Sequence, residues 1–96
     1  MSKRRSRLEI ILIILSAVRE GVDKPTRIMY AANMSWAPVQ RMLSGLVEQG
    51  LILEVLNTES RHSKKRYLIT EKGTNVLNYF ENAKEIMPLE ELYAGD

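Results

Sequence analysis

The sequence predicts one α+β domain in which three helices precede a two-stranded hairpin and a fourth helix follows it. Three observations predict this order. Apolar residues at helical spacing, interrupted by Gly21, Asn33 and Gly50, fill the first half of the chain. Two β-prone runs, LILEVLN and KRYLIT, flank the polar stretch TESRHSKK, which must be their turn. Thr70 then opens a last amphipathic stretch that Pro88 breaks. A length of 96 residues suits a single domain, and 45% hydrophobic with 27% charged residues is a globular composition.

The chain opens MSKRRSRLEIILIILSAVREG, a basic cluster ahead of an apolar run. A secretory signal peptide or a membrane anchor begins in the same way. The unbroken apolar run is only Ile10 to Leu15, against the roughly 20 residues that a membrane span needs. Ser16-Ala17-Val18 followed by Arg-Glu-Gly is also a poor cleavage site. The expectation is therefore a buried helix from about Arg5 to Glu20, ended by Gly21 in a left-handed C-cap. Leu8, Ile11, Leu12, Leu15 and Val18 fall at helical spacing, and Ile10, Ile13, Ile14 and Ala17 cover much of the remaining surface. Such a helix must be buried on more than one side. It is either the central helix of a small domain or also part of a subunit interface.

Val22 to Lys24 is a connector able to pair as a minimal strand. KPTRIMYAAN reads as a short second helix with Pro25 in its first turn, Ile28, Ala31 and Ala32 on its inner side, and Asn33 as a left-handed stop. SWAPVQRMLSGLVEQG reads as the third helix, with Ser35 as N-cap and Gly50 as terminator. Pro38 falls at its third position, so the Ser35 hydroxyl should bond the Ala37 N–H instead. Val39, Leu43, Leu46 and Val47 form the buried stripe, leaving Ala37, Pro38, Gln40, Arg41 and Ser44 mostly off it. The Asn33-Met34 link permits only a sharp turn between the two helices. In the fourth helix, capped by Thr70, the apolar positions are Val76, Leu77, Phe80 and Ala83, continued by Ile86 or Met87.

This is the order of a winged helix-turn-helix: α1-α2-α3-β-wing-β-α4. TRIMYAANMSWAPVQRMLSGLVEQGLI followed by KRYLITEKG is similar to the small archaeal winged-helix DNA-binding proteins, a ten-kilodalton nucleoid-associated group. AANMS at the turn, ML..LVEQGLI into the first wing strand and Y.IT.KG out of the second carry the resemblance, which covers roughly residues 5–80. The GLI and YLITEKG pieces are shared by many winged-helix regulators. The resemblance implies an α+β winged helix whose last helix pairs two subunits. Pro88 departs from the group by stopping that helix early.

Winged helices usually place the third helix in the DNA major groove. Its candidates here are Ser35, Trp36, Pro38, Gln40, Arg41 and Ser44. Gln40 suits adenine, Arg41 suits guanine, and Ser35 at the helix start suits a phosphate. Trp36 either packs under the turn as core or contacts DNA. The wing holds Arg61, His62, Ser63, Lys64, Lys65 and Arg66, a phosphate-binding or minor-groove wing unless it is simply a solvated hairpin tip. Alternate residues on a hairpin point opposite ways, so not all of them can face DNA together. Lys3, Arg4, Arg5 and Arg7 form a basic arm for the phosphate backbone, and Arg27 adds another contact. Together these cations would neutralise on the order of 4–8 phosphates per chain.

Residues 1–80 hold 13 Lys/Arg against 7 Asp/Glu, and residues 81–96 hold Lys84 against five carboxylates, so a basic body carries an acidic tail. The tail, including residues 88–96, is expected to face away from DNA. Ile10 and Ile14 of the first helix with Val76, Phe80, Ala83 and Met87 of the last would form a homodimer interface, setting two recognition helices on a pseudo-palindromic site. The expected protein is thus a cytoplasmic, nucleoid-associated factor or transcriptional regulator whose partners are double-stranded DNA and a second copy, with no membrane and no small-molecule ligand. The competing reading is a winged-helix protein-interaction module in a larger assembly. An enzyme is the least expected class. With no cysteine, one histidine and no phosphate loop, HExxH or GxSxG motif, no cofactor or metal site is expected.

Overall fold

The computed structural model describes residues 5–56 and 65–86. Its elements run α1 (Arg7–Arg19), α2 (Pro25–Ala32), α3 (Trp36–Glu48), β1 (Ile52–Leu56), β2 (Lys65–Ile69) and α4 (Glu71–Lys84). The strands pair antiparallel, from Ile52 opposite Ile69 to Leu56 opposite Lys65.

α1 begins two residues later than expected because Ser6 caps it, its hydroxyl accepting the Glu9 N–H at 3.0 Å. Gly21 follows its end at φ 103°. α1 packs against α2, α4 and β2, and no residue from Leu8 to Arg19 is fully exposed. It is the central helix that its all-round apolar sequence demands. Ile14, Leu15 and Val18 are buried within the chain. Ile14, expected at a subunit interface, is 0% exposed, its surface spent on the chain's own core.

Pro25 stands in the first turn of α2, and Asn33 ends that helix in the left-handed conformation at φ 54°. Ile28 and Ala32 face inward, while Ala31, expected beside them, is exposed. Two residues, Asn33 and Met34, join α2 to the N-cap of α3. Val39, Leu43 and Leu46 of α3 complete a core with Leu51, Ile52, Tyr67 and Leu77. Between α1 and α2 no strand forms among the described residues. One backbone bond, Tyr67 N–H to the Asp23 carbonyl at 2.9 Å, takes its place.

The passage from β2 into α4 is closely tied to the end of α3. Thr70 donates its N–H to the Leu51 carbonyl at 3.1 Å, and its hydroxyl donates to the carbonyls of Gly50 (2.6 Å) and Leu51 (3.0 Å). The same hydroxyl accepts the Gly73 N–H at 3.0 Å, capping α4. Lys72 donates to the Gln49 carbonyl at 2.7 Å, so three successive carbonyls after α3 are satisfied from one turn of α4. Gly73 is buried there. A β-carbon at that position would collide with the Leu51 carbonyl oxygen and stand 2.9 Å from Ile69 Cγ1.

Tyr67 lies under the hairpin and donates its hydroxyl proton to Glu54 at 3.0 Å. Burial, then the bond to Glu54, pushes its phenol up to about 12. The folded state thus favours the protonated phenol. That contribution is complete below the ordinary value of 10.0 and is lost as pH rises toward the folded value.

Two outcomes follow from this packing. Gly73→Ala should destabilise the domain by about 1–3 kcal/mol through overpacking, seen as a Tm lower by roughly 5–20 °C. An unchanged Tm would mean that α4 does not press on Leu51. Tyr67→Phe should flatten the loss of urea stability that wild type shows between about pH 10 and 12. The comparison with wild type removes the lysine titrations common to both.

Candidate nucleic-acid interface

α3 has two distinct sides. Val39, Leu43 and Leu46 are buried, whereas Ala37, Arg41, Ser44 and Glu48 are exposed. The exposed four fall at i, i+4, i+7 and i+11, one strip along the helix. Trp36, 46% exposed, stands beside Ala37 in the first turn, ahead of Val39 and Leu43 on the inner row, and is not core. Pro38 and Gln40 are half-buried at the strip's margins.

Ser35 is exposed at the start of α3, but its hydroxyl makes no cap bond, so the expected bond to Ala37 N–H is absent. The third helical position supplies the usual partner of a serine cap, and here it is a proline without an N–H. The polar start of α3 is therefore presented outward.

The arm and the turn meet through Arg5. Its guanidinium donates to the Asn33 carbonyl at 3.2 Å, which holds the arm's last residues beside the sharp turn that leads into α3. Arg7 and Arg27 are exposed in the first turns of α1 and α2. Lys65 and Arg66 are exposed at the base of the wing and, as neighbours on a strand, point to opposite faces. Lys65 Nζ lies 3.8 Å from Glu54, and Arg66 Nε lies 3.9 Å from Asp23. Exposed ion pairs of such length are weak and do not withdraw either cation from a phosphate. Lys3, Arg4, Arg61, His62, Lys64 and Met87 lie outside the described residues, as does the 88–96 tail.

Sequence reasoning missed Tyr30, 76% exposed and one turn beyond Arg27 on the outer side of α2. The i+3 spacing from Arg27 is the signal that would have found it. It also missed the outer face of the hairpin, where Leu53 lies opposite Leu68 and Val55 opposite Arg66, all exposed.

Away from α3, a groove of about 400 Å³ runs between α1 and α4, with Leu12, Ile13, Ala17, Leu77 and Phe80 among its lining residues. Arg19 crosses from α1 to α4 and grips Glu81 with two bonds, at 2.7 and 3.2 Å. Its hydrogen bond holds the Glu81 carboxyl below the usual carboxylate range. Of the expected interface residues, Ile10, Val76, Phe80 and Ala83 are half-buried. Tyr79 and Ile86, at 69% and 83% exposure, are the more open apolar residues of this end.

Comparison with known proteins agrees with this fold. An uncharacterized protein of Methanocaldococcus jannaschii, MJ0287, is 32% identical over 84 residues, spanning 88% of this chain and 78% of its own length. The crystal structure of Sso10a-2, a DNA-binding protein from Sulfolobus solfataricus, superposes with a TM-score of 0.70 at 28% identity, covering 95% of this chain and 88% of that one. Streptococcus pneumoniae FabT, solved in complex with DNA, shares the fold at a TM-score of 0.68 and 17% identity, over 90% of this chain and 59% of its own. A family model described as winged helix-turn-helix matches residues 4–88, and the chain belongs to that family.

Proposed function

We propose that this protein binds double-stranded DNA as a transcriptional regulator or nucleoid-associated factor, with α3 in the major groove. The observation that carries the reading is the outward strip of α3. It is backed by a fully apolar inner side and headed by an uncapped serine, and it displays Arg41 and Ser44 where base edges would lie. Arg5, Arg7 and Arg27 supply phosphate contacts from the arm and the helix starts. Lys65 and Arg66 add a cation on each face of the strand at the base of the wing, and Arg61, His62 and Lys64 are the further wing cations of the sequence. The DNA-binding protein from S. solfataricus supports the reading by its similarity over nearly the whole chain.

A homodimer through α1 and α4 completes the proposal. The apolar groove between these helices and the exposed Tyr79 and Ile86 give a second copy its seat, with Ile10, Val76, Phe80 and Ala83 beside them.

One observation favours the other reading, a protein-interaction module. The outer hairpin face, Leu53, Val55 and Leu68, is apolar and exposed, which phosphate binding does not require. A chain that failed to bind duplex DNA even at low salt would leave that face as the working surface.

Fluorescence-anisotropy binding to a random-sequence 30-mer duplex tests the main reading. With roughly 4–8 phosphates neutralised, log K should fall with log salt at a slope of about −4 to −7. Arg41→Ala should cost about 1–3 kcal/mol at a preferred site and relax selectivity there. Changing Lys65 and Arg66 to Ala should weaken binding to all sequences alike and make the slope shallower by about 1–2. For the dimer, light scattering should give twice the 11.0 kDa chain mass, and Tyr79→Glu with Ile86→Glu should return it to the single-chain value. A wild-type mass of one chain at micromolar concentration would remove the dimer.

A further inference from the structure

We infer that Trp36, with Ala37 beside it, reads the 5-methyl group of thymine at the head of the recognition helix. The inference rests on the DNA reading above and names the base chemistry that its first turn selects.

The first turn of α3 is Trp36-Ala37-Pro38. Trp36 and Ala37 are exposed and Pro38 is half-buried. Among these three side chains the indole N–H is the only hydrogen-bonding group. The turn therefore presents a ring face and a methyl group where α3 would first meet the groove. Hydrogen-bonding side chains begin one turn later, with Gln40 and Arg41.

The floor of the major groove is polar at every base except at one group. Guanine, adenine and cytosine offer hydrogen-bond donors or acceptors there, while thymine adds a methyl carbon. An apolar turn brought against that floor loses hydration without gaining hydrogen bonds at the first three bases. Against thymine it buries the methyl, with the gain expected of any apolar contact. Trp36 lies one turn before Gln40 and Ala37 one turn before Arg41, so each apolar contact would precede a hydrogen-bonding side chain along the helix. The order along α3 is then thymine contact first, hydrogen-bonded purine contact next.

Two synthetic polymers isolate the methyl group: alternating dA·dT and alternating dA·dU. They carry the same phosphates and the same groove donors and acceptors, and differ only at the pyrimidine 5-position. The full-length chain should bind the thymine polymer about four-fold tighter for each methyl contacted, the factor that one buried methyl-sized group supplies. The chain contains one tryptophan, so its emission reports Trp36 directly and should be quenched more by the thymine polymer. Trp36→Ser with Ala37→Ser should bind both polymers equally, with the wild-type salt slope retained. Equal affinity of wild type for the two polymers overturns the inference while leaving DNA binding standing, and so does a thymine preference that survives in the double variant. Binding to neither polymer at low salt overturns the DNA reading and this inference with it. Should the double variant fold poorly by circular dichroism, the wild-type affinities and the tryptophan emission decide alone.

Discussion

The Leu51 carbonyl is where the domain is locked. It receives both the N–H and the hydroxyl of Thr70, and it occupies the space that a side chain at position 73 would need. Three elements converge on this one oxygen: the end of α3, the start of the hairpin and the first turn of α4. Only three residues, Gln49, Gly50 and Leu51, separate α3 from β1, so fixing Leu51 fixes the hairpin relative to the outward strip of α3. A surface that is to meet a groove and its flanking phosphates together, as proposed here for α3 and the wing, needs such a rigid relation. The short link and the glycine achieve it in a chain that has no cysteine for a disulfide.

α1 performs the corresponding service for the other half of the molecule. It touches α2 on one side and α4 on another, and its link to α4 includes the bidentate Arg19–Glu81 pair. That pair is exposed and adds orientation more than stability. The apolar contacts around Ile14, Leu15 and Val18 carry the energy. α2 and α4 thus share this one helix. The bond from Arg5 to the Asn33 carbonyl adds a second connection between the start of α1 and the α2–α3 turn.

Much of this fold is legible in the sequence because its punctuation is chemical. Gly21, Asn33 and Gly50 each end a helix at positive φ, where most side chains are disfavoured, and Pro25 and Thr70 open helices for equally local reasons. The stripe of α3 is legible for the same reason, since a single apolar face has one way to be buried. Ile14 is not. On a helix apolar all round, periodicity cannot say which side meets the chain and which meets a partner, and only the tertiary contacts decide. The leucines of β1 are hidden by a similar degeneracy: ILEVL is apolar at both parities, so nothing local marks Leu53 and Val55 as the outer face. Ser6 was readable, as a serine three residues before Glu9, and the apolar run after it masked the signal. At Ser35 two local rules conflict, a good cap residue and a proline at the donor's position. Among the candidate contacts, exposure of the strip could be foreseen from the stripe behind it. The exposure of Trp36 could not, because tryptophan suits a core equally well.

On the proposed reading, the direction in which α3 would approach DNA follows from the charges along its exposed strip. Arg41 is the strip's cation and lies in its first half, next to the helix start, whose free N–H groups carry partial positive charge. Glu48 closes the strip at the other end and is exposed. A helix lying flat along the groove would bring Glu48 against the phosphates, at a cost that salt reduces only in part. Tilting the N-terminal half inward would avoid this and carry Ala37 and Arg41 deepest. On the proposed reading, the acidic residue that weakens a flat approach would thereby select the N-terminal end of α3 for the groove.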